Sequence, residues 1–76
     1  MMNNEKNFSY VLKVKNADGT IYTFNEHNPN KGYRQSWFKT PKAATKKLQE
    51  IMNYEKTHSN REIIDAYCFT RSGKTF

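Results

Sequence analysis

A capped amphipathic stretch between residues 37 and 57 constrains the fold of this chain more than any other part of its sequence. Thr40 offers a hydroxyl that can accept a hydrogen bond from a free backbone N–H at a helix start. Pro41 suits the first helical position, where its missing N–H has no intrahelical partner. Residues that share one helical face then follow at helical spacing: Ala44, Leu48, Ile51, Met52 and Glu55. The pattern predicts a helix that buries this face.

Alternation of apolar and polar residues predicts a half-buried strand that begins at Phe8. The side facing the core carries Phe8, Tyr10, Leu12 and Val14, and the other side carries Ser9, Val11, Lys13 and Lys15. A turn at 16–19 leads into a second strand at 20–24. The two strands therefore predict an antiparallel hairpin.

The length of the hairpin loop decides which side chains share a face. A two-residue loop at Asp18 and Gly19 would pair Lys15 with Tyr22. A three-residue loop that puts Gly19 in the left-handed conformation pairs Val14 with Tyr22 instead. Because a shift by one residue moves every side chain to the other face, only the second arrangement gathers the apolar groups. We predict the bulged turn.

The remaining segments complete the predicted architecture. Residues 25–32 form a polar loop, 33–38 a third strand and 63–70 a fourth. The fourth strand places Ile63, Tyr67 and Phe69 on one face. The sequence predicts an α+β fold of order β-β-β-α-β, an antiparallel sheet with one helix packed on one face. We predict a single domain at 8–76 after a disordered N-terminus at 1–7.

The positive charge is concentrated in one interval of the chain. The net charge is +6, yet no acidic residue lies between Glu26 and Glu50. That interval contains Lys31, Arg34, Lys39, Lys42, Lys46 and Lys47. A localised block of this kind predicts one positive surface that attracts anions.

Catalytic and metal-binding patterns are absent from the sequence. His27, His58 and Cys68 lack the spacing of metal ligands, and the seven carboxylates are scattered. We therefore predict a protein that is not an enzyme and has no cofactor and no metal. The single cysteine fits a reducing compartment, and no apolar run is long enough to span a bilayer. These features predict a cytoplasmic protein with no membrane contact.

The basic block yields a set of candidate nucleic-acid contacts. Lysines at a helix N-terminus oppose the helix dipole, and a bound phosphate would relieve that repulsion. The candidates are Lys13, Lys15, Arg34, Lys39, Lys42, Lys46 and Lys47, with Tyr33 and Trp37 as possible stacking residues. The alternatives are that these lysines only solvate the surface and that both aromatics belong to the core.

The phrase FKTPKAA at Phe38 to Ala44, preceded by two strands joined at a DG turn and by a short strand, resembles the arm-type DNA-binding domain of tyrosine-recombinase integrases. In that family a three-stranded sheet precedes a helix often opened by a phrase close to FKTKKEA, and the outer face of the sheet enters the DNA major groove. The similarity covers about Tyr10 to Met52. It implies a DNA-facing side that carries Lys13, Lys15, Thr23 and Arg34. In that family an acidic residue follows the lysines of the phrase, and this chain has no acidic residue there. A fourth predicted strand follows at the point where the family continues into a recombinase core. The implied role is therefore binding alone.

The sequence thus predicts a small basic binding module whose partner is DNA or RNA. One alternative is a phage- or mobile-element-type protein-interaction factor that inhibits or modulates a host protein, with an acidic or nucleic-acid-binding partner. Another is a small homodimerising protein, because a four-stranded sheet leaves two edges open.

Overall fold

The computed structural model describes residues 5–32 and 34–76, and within them three strands form one antiparallel sheet beside one α-helix. The elements are β1 (Phe8–Lys15), β2 (Ile21–Phe24), a 3-10 turn (Pro29–Lys31), α1 (Pro41–His58) and β3 (Glu62–Thr70). The strand order is β2-β1-β3, and α1 packs on one face of the sheet. The predicted α+β class is confirmed. We call the face opposite α1 the outer face.

The start of α1 follows the predicted capping chemistry. The Thr40 hydroxyl accepts a hydrogen bond of 3.1 Å from the backbone N–H of Ala43, and Pro41 is the first helical residue. Ala44, Leu48 and Glu55 are the buried residues of α1. Ile51 and Met52 are half-buried and pack against the same core.

The core lies between α1 and the two strands β1 and β3. Its buried members are Tyr10, Leu12, Val14, Ala44, Leu48 and Cys68. β1 is the central strand, and Leu12 and Val14 on it are fully buried. Burial of a side chain of this size stabilises the fold by about 1.5–3 kcal/mol. The alternation along β1 therefore sets which face of the sheet receives the helix.

Arg61 and Glu55 close the end of the core beside β2. The Arg61 guanidinium binds the buried Glu55 carboxylate through Nε at 2.9 Å and Nη2 at 2.6 Å. The same guanidinium lies over the rings of Tyr22 and Phe24, 5.6 and 5.4 Å from their centres. One cation thus links the end of α1 to the β2 strand.

The β1–β2 hairpin has the predicted register. Val14 pairs with Tyr22, and Gly19 has a φ of +89° in the left-handed region. The backbone N–H of Asn16 donates to the carbonyl of Thr20 at 2.8 Å, which closes the bulged loop. The three-residue loop is confirmed.

Within the described part of the predicted third strand, residues 34–38, the pairing is reduced to a single bridge. Of these five residues, Phe38 alone pairs with the sheet, exchanging two backbone hydrogen bonds with Phe8. The position between β2 and Phe38 is filled by the Asn25 side chain, which donates to the Tyr10 carbonyl at 2.9 Å and accepts from the Ser36 N–H at 2.6 Å. Because the Asn25 amide satisfies the groups that a strand would pair, the segment before Phe38 runs outside the sheet.

A bulge in β3 changes which side chains lie on each face. Lys13 pairs with Asp65 but Val14 pairs with Ile63, so Ile64 is an extra residue without a partner on β1. Ile63 therefore packs on the core, whereas Tyr67 and Phe69 pair with outer-face residues of β1: Val11 and Ser9. The prediction that Ile63, Tyr67 and Phe69 share one face is wrong.

The C-terminal tail and the residues just before β1 lie near the C-terminal end of β3. The tail folds back at Gly73, and Thr75 bridges to Phe69. At the other end, the Arg71 N–H donates to the carbonyl of Asn7 at 3.0 Å. Residues 1–4 of the predicted disordered N-terminus lie outside the described residues.

Candidate nucleic-acid interface

Four of the predicted contact residues lie at the start of α1. We call Lys39, Lys42, Lys46 and Lys47 the helix lysine cluster. All four are exposed, and none forms a salt bridge within the part of the chain that the structure describes. Lys42 and Lys46 are one turn apart on the side of α1 that points away from the buried stripe. The first turn of α1 has no acidic residue, so the helix dipole adds to this positive potential.

The two predicted contacts on β1 lie on the opposite side of the molecule. Lys13 and Lys15 alternate with the core residues of β1 and so project from the outer face. Lys13 stands directly opposite Asp65, and Lys15 opposite Glu62. Cross-strand neighbours of this kind are about 5 Å apart at Cβ. These acids lower the positive potential, and Lys13 and Lys15 do not form one surface with the helix lysine cluster.

Arg34 and Trp37 lie on the segment that leads to Phe38. Arg34 is exposed, and Trp37 is half-buried. Both line an open groove of about 590 Å³ together with His27, Pro29, Gly32 and Gln35. The predicted stacking residue Tyr33 lies outside the described residues. The groove is of the size typical of small-ligand sites.

Three aromatic side chains pack together beside this groove on the outer face. We call Trp37, Tyr67 and Phe69 the aromatic cluster. The ring centre of Phe69 lies 5.6 Å from that of Trp37 and 6.0 Å from that of Tyr67. The guanidinium carbon of Arg71 lies 4.1 Å from the centre of the Trp37 ring, a cation–π contact. All three rings are half-buried, so part of each remains open to solvent.

No family model, curated protein or solved structure matches this chain. The resemblance to integrase arm-type domains therefore stays a prediction.

Sequence reasoning missed three residues of this surface: Tyr67, Phe69 and Arg71. Strict alternation from Ile63 assigns both aromatics to the core face, and the bulge at Ile64 reverses that assignment. The consecutive apolar residues Ile63 and Ile64 are a signal of this bulge. Neighbouring residues of a regular strand lie on opposite faces, so only one of the two can face the core. Nothing near Arg71 in the sequence indicates its contact with Trp37.

A second, smaller cavity lies where β2 ends. It has a volume of about 340 Å³ and is lined by polar groups of Asn25, Arg34 and Ser36 beside Tyr10. Burial raises the pKa of the Tyr10 phenol above its ordinary value.

Among residues 5–32 and 34–76, no three His, Cys, Asp or Glu side chains are grouped to hold a metal ion. Within the same ranges, no helix has the length and apolar character needed to cross a bilayer.

Proposed function

We propose that this protein is a small, non-enzymatic nucleic-acid-binding module in which the helix lysine cluster contacts phosphate groups. The observation that supports this most is the exposure of four ammonium groups between positions 39 and 47, with no salt-bridging carboxylate among the residues that the structure describes. Neighbouring lysines repel one another, and those in the first turn also oppose the dipole of α1. Phosphate groups relieve both repulsions and release counterions, which drives association.

Charge reversal of Lys42 and Lys46 tests this proposal directly. The K42E/K46E variant should bind labelled DNA and RNA more weakly and reduce the slope of log affinity against log salt by about 2. The matched control is K56E, an exposed lysine on the same helix about 15 Å beyond Lys46. K56E should leave the slope nearly unchanged.

The melting temperature of the variants distinguishes a lost phosphate contact from a loss of folding. An acid in the first turn of α1 interacts favourably with the helix dipole, by roughly 0.3–1 kcal/mol at an exposed site. The variant K42E should therefore melt at the same temperature as the wild type or higher. Unchanged affinity in K42E/K46E would contradict the proposal.

A second candidate function is homodimerisation through β2. This strand is an edge of the sheet, contains no charged residue and exposes Ile21 and Tyr22 by 58% and 47%. Edge strands of soluble proteins are usually protected by charges or prolines. The other edge is covered in part by the protein's own tail at Thr75. Light scattering that gives twice the chain mass, and the chain mass for T23P, would favour this candidate.

A further inference from the structure

We propose that the aromatic cluster and the adjoining groove bind the unpaired bases of a single-stranded nucleic acid. This inference rests on the proposed function, because the same strand would supply the phosphates for the helix lysine cluster. The proposed ligand is a single strand, and the site that binds it includes Tyr67, Phe69 and Arg71.

The ring faces of the aromatic cluster provide the stacking surface. Base–aromatic stacking needs a half-open ring that its neighbours hold in place. Phe69 is held between Trp37 and Tyr67 at inter-ring angles of 77° and 51°. These rings flank the fully buried Ser9 and the buried Val11, which pair with Phe69 and Tyr67 on the outer face. The pairing of β3 with β1 therefore fixes the positions of Phe69 and Tyr67.

The charge around the aromatic cluster suits a polyanion. The Arg71 side chain is oriented by a 2.8 Å hydrogen bond from Nε to the carbonyl of Lys6, and its terminal nitrogens form no hydrogen bond to the described residues. Lys39 follows Trp37 by two residues, so their Cα atoms are at most about 7 Å apart. The outer-face acids Asp65 and Glu62 are offset by Lys13 and Lys15.

The groove beside Trp37 supplies polar groups for the edges of bases. Arg34 is a cationic donor there, and the side chain of Gln35 donates to the Asn25 carbonyl at 3.3 Å while its oxygen can accept. His27 lines the same groove and is exposed. Groups of this kind bind the base edges that a single strand leaves open and a duplex keeps paired.

Segment 37–39 connects the two parts of the proposed site. Trp37 lies on the outer face, Phe38 bridges to Phe8 on the core side, and Lys39 precedes the cap of α1. A nucleic-acid strand whose base stacks on Trp37 can therefore pass over segment 37–39 toward the helix lysine cluster. A rigid duplex has its bases stacked within itself and cannot present them to the aromatic cluster.

Three labelled ligands of about 12 nucleotides test the inference: an oligothymidylate, an abasic strand with the same phosphates, and a duplex. We expect the oligothymidylate to bind roughly 5- to 100-fold more tightly than the abasic strand at equal salt. Trp37 is the single tryptophan, so its fluorescence reports the cluster directly. The oligothymidylate should quench it, and the abasic strand should not.

The variant F69L and its control Y54L complete the test. F69L removes the central ring but keeps an apolar side chain, and it should lower oligothymidylate affinity to that of the abasic strand. Y54L removes an exposed aromatic of α1 that stacks on His58 outside the site, and it should change neither affinity. If F69L fails to fold, the fluorescence of the wild type decides alone.

The outcomes distinguish this inference from the proposed function. Equal affinity for all three ligands with unchanged Trp37 fluorescence overturns single-strand stacking but keeps phosphate binding. No binding of any ligand at low salt overturns both proposals. A dimer in which Trp37 is shielded from acrylamide, in the absence of nucleic acid, also overturns the inference, because a second copy would then occupy the aromatic cluster.

Discussion

The Arg71 guanidinium stacks on the Trp37 ring and also holds the N-terminal segment through the Lys6 carbonyl. Replacement of Arg71 by alanine removes one cation–π contact and one side-chain hydrogen bond. Exposed cation–π contacts contribute about 0.5–1 kcal/mol and a hydrogen bond about as much again. We expect R71A to lower the free energy of unfolding by roughly 1–2 kcal/mol, measured by urea denaturation followed through Trp37 fluorescence. R71K should lose less unfolding free energy than R71A. An unchanged urea midpoint in R71A would contradict a stabilising contact between Arg71 and Trp37.

Asn25 joins β2, β1 and the 34–38 segment through its side chain. Its φ of +62° lies in the left-handed region, which asparagine tolerates better than most residues. N25A would lose the hydrogen bonds to Ser9, Tyr10 and Ser36 and would add backbone strain. We expect a loss of about 2–3 kcal/mol in unfolding free energy and faster hydrogen exchange at the Ser36 amide.

N25G serves as the control for this position because glycine removes the strain but not the lost hydrogen bonds. The unfolding free energy of N25G should lie between those of the wild type and N25A. Equal stability of N25G and the wild type would show that the side-chain bonds contribute little.

The Glu55–Arg61 pair should couple strongly. Glu55 is 3% exposed and Arg61 is 30% exposed at the side chain. Loss of one partner of a fully buried pair costs about 3–5 kcal/mol. With Arg61 partly solvated, we expect E55Q to lose roughly 2–3 kcal/mol in thermal or urea unfolding.

The double variant E55M/R61M removes both charges. Its loss of unfolding free energy should be smaller than the sum of the losses in E55M and R61M. Strict additivity of the two single changes would contradict the coupling.

The Asp18 carboxylate should make the hairpin sensitive to acid. Hydrogen bonds from the Thr20 hydroxyl at 2.7 Å and the Thr20 N–H at 3.0 Å lower the pKa of Asp18. A carboxyl whose pKa is lower in the folded state contributes stability above its unfolded pKa of about 3.9, and that stability is lost as pH falls through the folded pKa. The melting temperature of the wild type should fall more than that of D18N between about pH 5 and pH 3. Parallel curves for the two proteins would contradict this assignment.

Local signals of the sequence were sufficient for the helix and the hairpin. The start of α1 depends on Thr40 and Pro41, and the hairpin register on Gly19, so short-range chemistry determines both. The alternation along β1 likewise identifies the core face, because Leu12 and Val14 must be buried together.

Features that depend on distant residues were not predictable. The Asn25 side chain replaces a strand pairing through Tyr10 and Ser36, and no local pattern encodes that contact. The bulge at Ile64 reverses the faces of the rest of β3 and creates the aromatic cluster. The predicted basic contacts on β1 and on α1 lie on opposite sides of the molecule, because the two elements are far apart in the sequence and their packing decides whether their side chains meet.

Salt-dependent titration of the wild-type protein tests the central claim that the helix lysine cluster contacts phosphates. Fluorescence anisotropy of a labelled single strand, measured at several salt concentrations, gives the slope of log affinity against log salt. Four phosphate contacts predict a slope of about −3 for a single strand. A slope near zero, or no binding at low salt, would contradict the account.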